Sequence, residues 1–412
     1  MATSASTRPQ QAEPQQADMD AAQPQAAQFE VDQVATIAGG HFLHDTFSAF
    51  LAPLLPMIQT KLGTSYAMTG SLVIFTQIPS LLNPFIGYAA DRISVRYFVI
   101  LAPGITATLT GLIGLAPSYA ALAMLLLLSG VSIAAFHAPA PAMIARVSGK
   151  RVGTGMSIFM ASGELGRTFG PIVAAAGVTW WGLDGIWRLA ALGWLTSAVL
   201  YWRLHQVAAR PPAAHVHGIS TMMPQARRVF PVLTWIMLPK AFLAVALTTY
   251  LPIYMSDERG SGLWLAAASL TILEAAGVVG ALLTGTVSDR IGRGRMLLIV
   301  LTLAPIFLIL FLVGPNWLDV FMLIALGLTA ISPTPVMLAV VQDQFPDNRA
   351  TANGIFMLLN FLVRALAIWG IGMLADRLGL TTAFMWSAVL ALLSIPAVWW
   401  LPRGAAVSKV EA

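Results

Sequence analysis

The 412-residue chain contains no cysteine. That excludes disulfides, thiolate metal sites and cysteine nucleophiles. Charge is scarce as well. Asp, Glu, Lys and Arg make up 10% of the residues, against roughly a quarter in ordinary soluble domains. A water-soluble protein of this length could not cover itself with so little charge. No Walker A loop and no H-E-x-x-H pair occurs in the chain, which argues against a nucleotide-driven pump and against a zinc hydrolase. No metal site and no cofactor is expected. Residues 1–32 also lack the basic front and apolar core of a signal peptide. They are rich in Gln, Ala and Pro, with Glu13, Asp18, Asp20, Glu30 and Asp32, and read as a disordered cytoplasmic tail.

What the chain has in quantity is apolar surface: 57% hydrophobic residues and a mean hydropathy of +0.76. A single anchor helix cannot raise the whole chain that far, so the expected class is an all-α polytopic membrane protein. A spanning helix needs about 20 mostly apolar residues. Twelve such stretches can be read, at 33–60, 67–91, 97–115, 119–146, 152–178, 186–205, 229–255, 263–289, 296–314, 318–344, 350–376 and 381–401. The longest polar connection, 206–228, separates two six-helix bundles at 33–205 and 229–401, and 402–412 forms a second cytoplasmic tail.

The two halves repeat each other. GYAADRISVR, from Gly87 to Arg96, closes the second span, and GTVSDRIGRGR, from Gly285 to Arg295, closes the eighth. Asp91 and Asp289 are 198 residues apart; Arg167 and Arg364, in SIFMASGELGR and GIFMLLNFLVR, are 197 apart. APAPAM in span four echoes SPTPVM in span ten. Three matches in order at nearly one offset indicate an internal duplication of six plus six pseudo-symmetric helices. Lys and Arg are distributed unequally: four lie in the odd-to-even loops and sixteen on the other side. The positive-inside rule then places both termini and the central linker in the cytoplasm. That bias accounts for the pI of 9.7 without a nucleic-acid partner.

Six charged side chains fall inside the spans: Asp45, Glu164, Arg167, Lys240, Glu274 and Arg364. Each costs on the order of 2.5–3.5 kcal/mol at a bilayer centre, so they must face the bundle interior, a wet cavity or one another. His41, His44, Asp45 and Ser48 follow i, i+3, i+4, i+7 and form one helical stripe, leaving Phe42, Leu43 and Phe50 for lipid or neighbouring helices. An Asp beside two His in low dielectric is a candidate for proton coupling or substrate contact; a satisfied interhelical hydrogen-bond cluster is the plainer alternative. Glu164 and Arg167, at i, i+3, can pair. Protonation of Glu164 would free Arg167 for an anion, and anion binding would expel the proton. Glu274 joins the proton-coupling candidates. Arg167, Arg364, Lys240, His137, Gln77 and Asn360 are candidates for substrate binding; Lys240 falls near the repeat position of His44. Pro139 and Pro141 should break span four, and Pro333 and Pro335 span ten, at matching places. Gly163, Gly166 and Gly170 suit helix packing, and Pro171 should bend span five.

The doubled G-x-x-x-D-R signature on a six-plus-six duplication resembles the major facilitator superfamily over about residues 33–401. Ser94 and Val95 replace the usual Gly-Arg pair in the first copy, so the second is the more faithful. GELGRTFGP, Gly163 to Pro171, looks like the Gly-Pro motif of the drug/proton antiporter branch. GHFLHDTFSAFLAPLLP, FHAPAPAMIARVSG and MSIFMASGELGRTFGP together resemble its fosmidomycin-resistance subgroup. The resemblance implies a secondary transporter in a bacterial inner membrane that acts as a monomer among lipids. It implies proton-coupled efflux of a drug-like or anionic small molecule by alternating access. Proton-coupled uptake of an organic anion is the alternative; a membrane-embedded enzyme or receptor fits the duplication less well. It also implies a conformational latch at Gly87, Asp91, Arg92, Arg96, Gly285, Asp289, Arg290 and Arg293. Topology anchoring by positive charge is the simpler account of those arginines.

Overall fold

A computed structural model describes residues 29–82, 96–205, 219–345 and 349–402. In lipid a segment must satisfy its own backbone, and continuous helices do so; helices make up the described chain, with no strand among the described residues. In the first half, Val31–Ser48 (α1) and Leu51–Leu62 (α2) form the first span, and Tyr66–Gln77 (α3) begins the second. Arg96–Gly111 (α4) is the third; Tyr119–His137 (α5) and Ala140–Val147 (α6) share the fourth. Val152–Trp181 (α7) and Ala190–Leu204 (α8) are the fifth and sixth.

The second half repeats this order. Ile219–Val245 (α9) and Leu251–Asp257 (α10) make the seventh span, joined by a π-helical turn at Ala246–Tyr250. Leu263–Ile291 (α11) and Arg293–Val313 (α12) follow. Asp319–Leu326 (α13) and Pro333–Gln344 (α14) form the tenth, again around a π-helical turn, Gly327–Ile331. Arg349–Leu378 (α15) and Leu380–Leu392 (α16) complete the series. Eight helical stretches among the described residues are long and apolar enough to cross a membrane. Side chains such as Leu282, Val313 and Leu195 stand more than 60% exposed, an apolar surface that only lipid or a partner could cover.

The breaks expected from the prolines of spans four and ten are both present. α5 stops at His137 and α6 restarts at Ala140, and Pro333 opens α14 just after the π turn. α7, in contrast, runs unbroken through Pro171. The segment expected as the linker, 206–228, is helical from Ile219 onward, and α9 absorbs Pro224 without interruption. The N-terminal tail lies outside the described residues up to position 28, and the C-terminal tail outside them from position 403.

Tight turns join several spans. Gly292 (φ 96°) separates α11 from α12, and Gly379 (φ 83°) separates α15 from α16; each takes a left-handed conformation that a Cβ would strain. The halves meet where α3 lies against α15, α7 against α11 and α2 against α10. Within the first half α7 packs along α1. A Cβ at Gly166 would collide with the Phe42 carbonyl, and one at Gly170 with Ala49 and the Thr46 carbonyl. Small residues there bring the two backbones together, which sets α1 and α7 side by side at the site.

Candidate functional site

A cavity of about 450 Å³ opens between the halves, lined on one wall by Asp45, His137 and Arg167 and on the other by Glu274 and Arg364; Gln77 also reaches it. Asp45 organises the first wall and is 1% exposed. Its Oδ2 accepts from Arg167 Nη1 at 2.6 Å and lies 3.4 Å from His41 Nε2. Its Oδ1 lies 3.0 Å from His44 Nδ1 and 3.3 Å from His137 Nε2. Arg167 also forms an ion pair with Glu164, one turn back on α7. A buried carboxylate is retained only when charge and hydrogen bonds surround it, and one guanidinium and three imidazoles do so here.

Two phenylalanines fix the rings. His41 stacks on Phe159 at 3.9 Å between centroids, with Nδ1 2.8 Å from the Phe159 carbonyl. His44 stacks on Phe136 at 4.3 Å. Its Nε2 lies 3.2 Å from Thr106 Oγ1, which donates to Ser132 at 2.8 Å. The stripe on α1 is thus divided. Asp45 and Ser48 line the cavity, whereas His41 and His44, 3% and 0% exposed, lie behind it in the first half's interior. Phe50, read as facing lipid or a neighbouring helix, is wholly buried in the core.

The second wall is basic. Lys240 on α9 donates to Thr334 Oγ1 at 3.0 Å, and Arg364 on α15 donates to Thr248 Oγ1 at 3.2 Å. Asn360 lies beside them, lining a small recess of about 110 Å³ that also reaches Arg364. Neither cation has a carboxylate within 4.0 Å among the described residues, and Arg364 Nε is buried without a hydrogen-bond partner. Glu274 stands between Arg167 and Arg364 on the cavity wall. Thr106, Ser132, Thr248 and Thr334 complete these networks; single hydroxyl residues inside apolar spans carry no spacing that would single them out in the sequence.

Of the loop signatures, Gly87, Asp91 and Arg92 lie outside the described residues. Arg96 stacks over Tyr97 at 5.4 Å, with its Nε unpartnered among the described residues. In the second copy Arg293 joins Asp289 at 2.5 Å and Asp343 at 3.3 Å, while Arg290 is exposed. A Cβ at Gly285 would meet nothing within 4 Å among the described residues. Gly163 sits against the His41 ring.

Charged contacts between the halves gather at one face. Asp376, at the end of α15, accepts from the backbone N–H of Tyr66 at 2.6 Å and of Ala67 at 3.1 Å. The Tyr66 hydroxyl donates to Asp257 at 3.0 Å. Tyr250 Oη lies 2.8 Å from the Ile368 carbonyl and 3.3 Å from that of Tyr66. Asp376 carried a legible signal. Gly372, Asp376, Arg377 and Gly379 repeat the G-x-x-x-D-R-x-G spacing of Gly285, Asp289, Arg290 and Gly292.

Comparison with known proteins adds an independent line. The sequence model of the Major Facilitator Superfamily matches residues 37–368 and 270–412. The fosmidomycin resistance protein of Escherichia coli (strain K12) is 26% identical over 375 residues, covering 88% of this chain and 91% of that protein. An MFS-type efflux pump of Mycolicibacterium smegmatis is 28% identical over 215 residues, 46% of this chain and 49% of that protein. Among solved structures, a bacterial homologue of the human lysosomal transporter Spinster, inward-facing and unoccupied, superposes with a TM-score of 0.71 at 16% identity, covering 90% and 95% of the two chains. A nucleoside transporter superposes at 0.74 and 15% identity, covering 90% and 100%.

Proposed function

Since the chain belongs to the major facilitator superfamily, and is a multi-pass membrane transporter of small molecules rather than an enzyme, we propose that it exports an anionic small molecule in exchange for protons. The observation that carries this is the pair Lys240 and Arg364, one buried and one half-buried cation without a carboxylate within 4.0 Å among the described residues, beside a cavity whose other wall pairs its arginine with carboxylates. An unpaired buried cation is costly, and an anionic cargo relieves that cost at both residues.

The proton enters through Glu164. It is 36% exposed in its side chain and bonded to Arg167. When Glu164 is protonated, Arg167 keeps only Asp45, and one face of its guanidinium is free for cargo. Cargo and Glu164 compete for Arg167, so the protonation state of Glu164 decides whether that part of the site is open. Each proton moving down the membrane potential supplies about 2.3 kcal/mol per 100 mV. Export is favoured over uptake by the likeness to the fosmidomycin resistance protein and the efflux pump.

Alternating access would rock the six-helix halves about this cavity. The Tyr66, Asp257 and Asp376 contacts would then form the outer seal of a conformer open to the cytoplasm, in keeping with the likeness to an inward-facing structure. The Arg293 cluster with Asp289 and Asp343 would latch the cytoplasmic side in the opposite state. We place the protein in a bacterial inner membrane, as a monomer with both termini in the cytoplasm.

The test is a proteoliposome assay with an imposed pH gradient and an internal pH dye, given fosmidomycin and a panel of small organic anions. Cargo-evoked proton flux in the wild type that disappears in Glu164→Gln is the expected result. Flux unchanged in Glu164→Gln would remove Glu164 from the proton path. Flux of the opposite sign with an inward anion gradient would establish uptake instead.

A further inference from the structure

Around Asp45 there are more lone pairs than hydrogens to fill them. His41 Nδ1 lies 2.8 Å from the Phe159 carbonyl, and His137 Nδ1 lies 2.9 Å from the Ile133 carbonyl. A carbonyl can only accept, so each ring carries a hydrogen on Nδ1, and in its neutral form presents a bare Nε2. The two bare nitrogens face each other at 3.3 Å. Both also face the Asp45 carboxylate, at 3.4 Å from His41 and 3.3 Å from His137. Arg167 and His44 reach the carboxylate from its other sides, but two bare nitrogens and that carboxylate still converge with no hydrogen among the three, an arrangement that a cation would satisfy. We propose that His41, Asp45 and His137 form a site for a divalent transition-metal ion of the zinc class, set in the wall of the central cavity.

The spacing is that of a ligand set. Zinc holds imidazole nitrogen and carboxylate oxygen at about 2.0–2.2 Å in a tetrahedral array, whose corners lie about 3.3–3.6 Å apart. The two nitrogens lie 3.3 Å apart, and the carboxylate approaches them through different oxygens, Oδ1 at 3.3 Å from His137 and Oδ2 at 3.4 Å from His41; one atom from each residue falls within 4.8 Å of the others, close enough for a small shift of the carboxylate to complete the set. The Nδ1–H bonds to backbone carbonyls are the outer contacts that orient metal-binding imidazoles. Two imidazoles and one carboxylate suit zinc, copper or nickel, whereas magnesium and calcium favour all-oxygen shells.

His44 lies outside the ligand set; its Nδ1, 3.0 Å from Oδ1, holds the carboxylate in place. His137 and Asp45 both line the cavity, so the fourth coordination position faces it and is open to water or to an anionic oxygen of the cargo. Arg167, 2.6 Å from Oδ2, opposes a dication there, and Glu164 offers that guanidinium its alternative partner. The ligands come from two helices, His41 and Asp45 on α1 and His137 at the end of α5. A linear motif cannot reveal them, and no metal was expected from the sequence for that reason.

The experiment titrates Co(II) into the full-length, metal-stripped protein in detergent micelles and records the visible absorption of tetrahedral cobalt. The expected result is one tetrahedral ion per chain, displaced by Zn(II) and unaffected by Mg(II). His137→Gln should abolish the band, while His205→Gln, on the exposed end of α8, should leave it. His137→Cys should regain the ion and add a thiolate-to-cobalt charge-transfer band, which in a chain without cysteine arises only at position 137. No band in the folded wild type, or a band that survives His137→Gln, would overturn the site; the gap between the nitrogens would then hold a proton. If His137→Gln elutes as aggregate, the wild-type titration and the thiolate band of His137→Cys decide. Ion binding needs no transport, so a failed titration leaves the antiport mechanism standing, and a failed flux assay leaves the metal site standing.

Discussion

The carboxylate of Asp376 accepts the backbone N–H groups of Tyr66 at 2.6 Å and Ala67 at 3.1 Å, so a residue of the second half caps a helix of the first. Helix N-termini carry unpaired N–H groups and a partial positive charge, and a carboxylate meets both needs. Under the proposed alternating access, a bond of this kind between the halves serves as a seal.

Asp376→Asn keeps the shape but loses the charge, and should weaken the closed face by about 1 kcal/mol. The chain has no cysteine, so spin labels on thiols introduced at the exposed Met68 and Leu378 report the separation directly. A distribution shifted toward longer distances is expected. An unchanged distribution would assign the seal to Tyr250 and Asp257 instead.

The Tyr66 hydroxyl should be indifferent to pH over the working range. Burial first, and the Asp257 carboxylate second, push it up to about 12 from its ordinary 10.0. A raised value means the neutral, donating form is the one the fold favours. Its contribution is therefore complete below the ordinary value and lost only as pH rises through the raised one. In an ultraviolet titration of tyrosinate, the difference between wild type and Tyr66→Phe should be a single group ionising above the ordinary range. A difference curve centred near the ordinary value would contradict the contact.

Lys240→Met should separate stability from function. It removes a buried cation whose hydrogen-bond partner among the described residues is Thr334 alone, which should stabilise the fold by about 1 kcal/mol or more. The same change should weaken anion binding about tenfold, the loss of one charge-assisted contact. Thermal unfolding in detergent gives the first number and cargo titration the second. A variant that is less stable and binds as well as wild type would mean Lys240 serves packing alone.

Two glycines should respond in opposite ways. Gly166→Val places methyl groups against the Phe42 carbonyl, where a Cβ already collides, and should cost about 1–3 kcal/mol through overpacking. Gly285→Ala enters open space and should be neutral or stabilising by up to about 1 kcal/mol, since alanine is the better helix former. Melting temperatures of the two variants in one detergent provide the comparison. Strong destabilisation by Gly285→Ala would point to a close approach in another conformer.

Much of the architecture was legible because a bilayer leaves few options. Some 20 apolar residues without charge must be a helix, and repeated offsets near 198 residues must be a duplication. The buried charges were legible for the same reason, since lipid makes each one conspicuous. Their partners were not. The i, i+3 spacing brings Glu164 to Arg167, and the structure shows that contact; the spacing is silent on the tie from Arg167 to Asp45, which spans two helices. The start of α9 was misplaced because 206–228 reads as a polar connection in the linear chain, whereas the helix begins at Ile219 and runs on through Pro224.

The amino-acid sequence by itself determined that this protein is a membrane bundle of two similar halves with charges sealed inside, because hydrophobicity, spacing and repetition are properties of the linear chain. Only the tertiary structure decided that Asp45 gathers three histidines and an arginine, that His41 and His44 stand behind the cavity while His137 lines it, and that Lys240 and Arg364 are left without a carboxylate. Contacts between helices depend on how close their backbones come and on how each is rotated. Both are set by packing at residues such as Gly166 and Gly170, which no local pattern encodes.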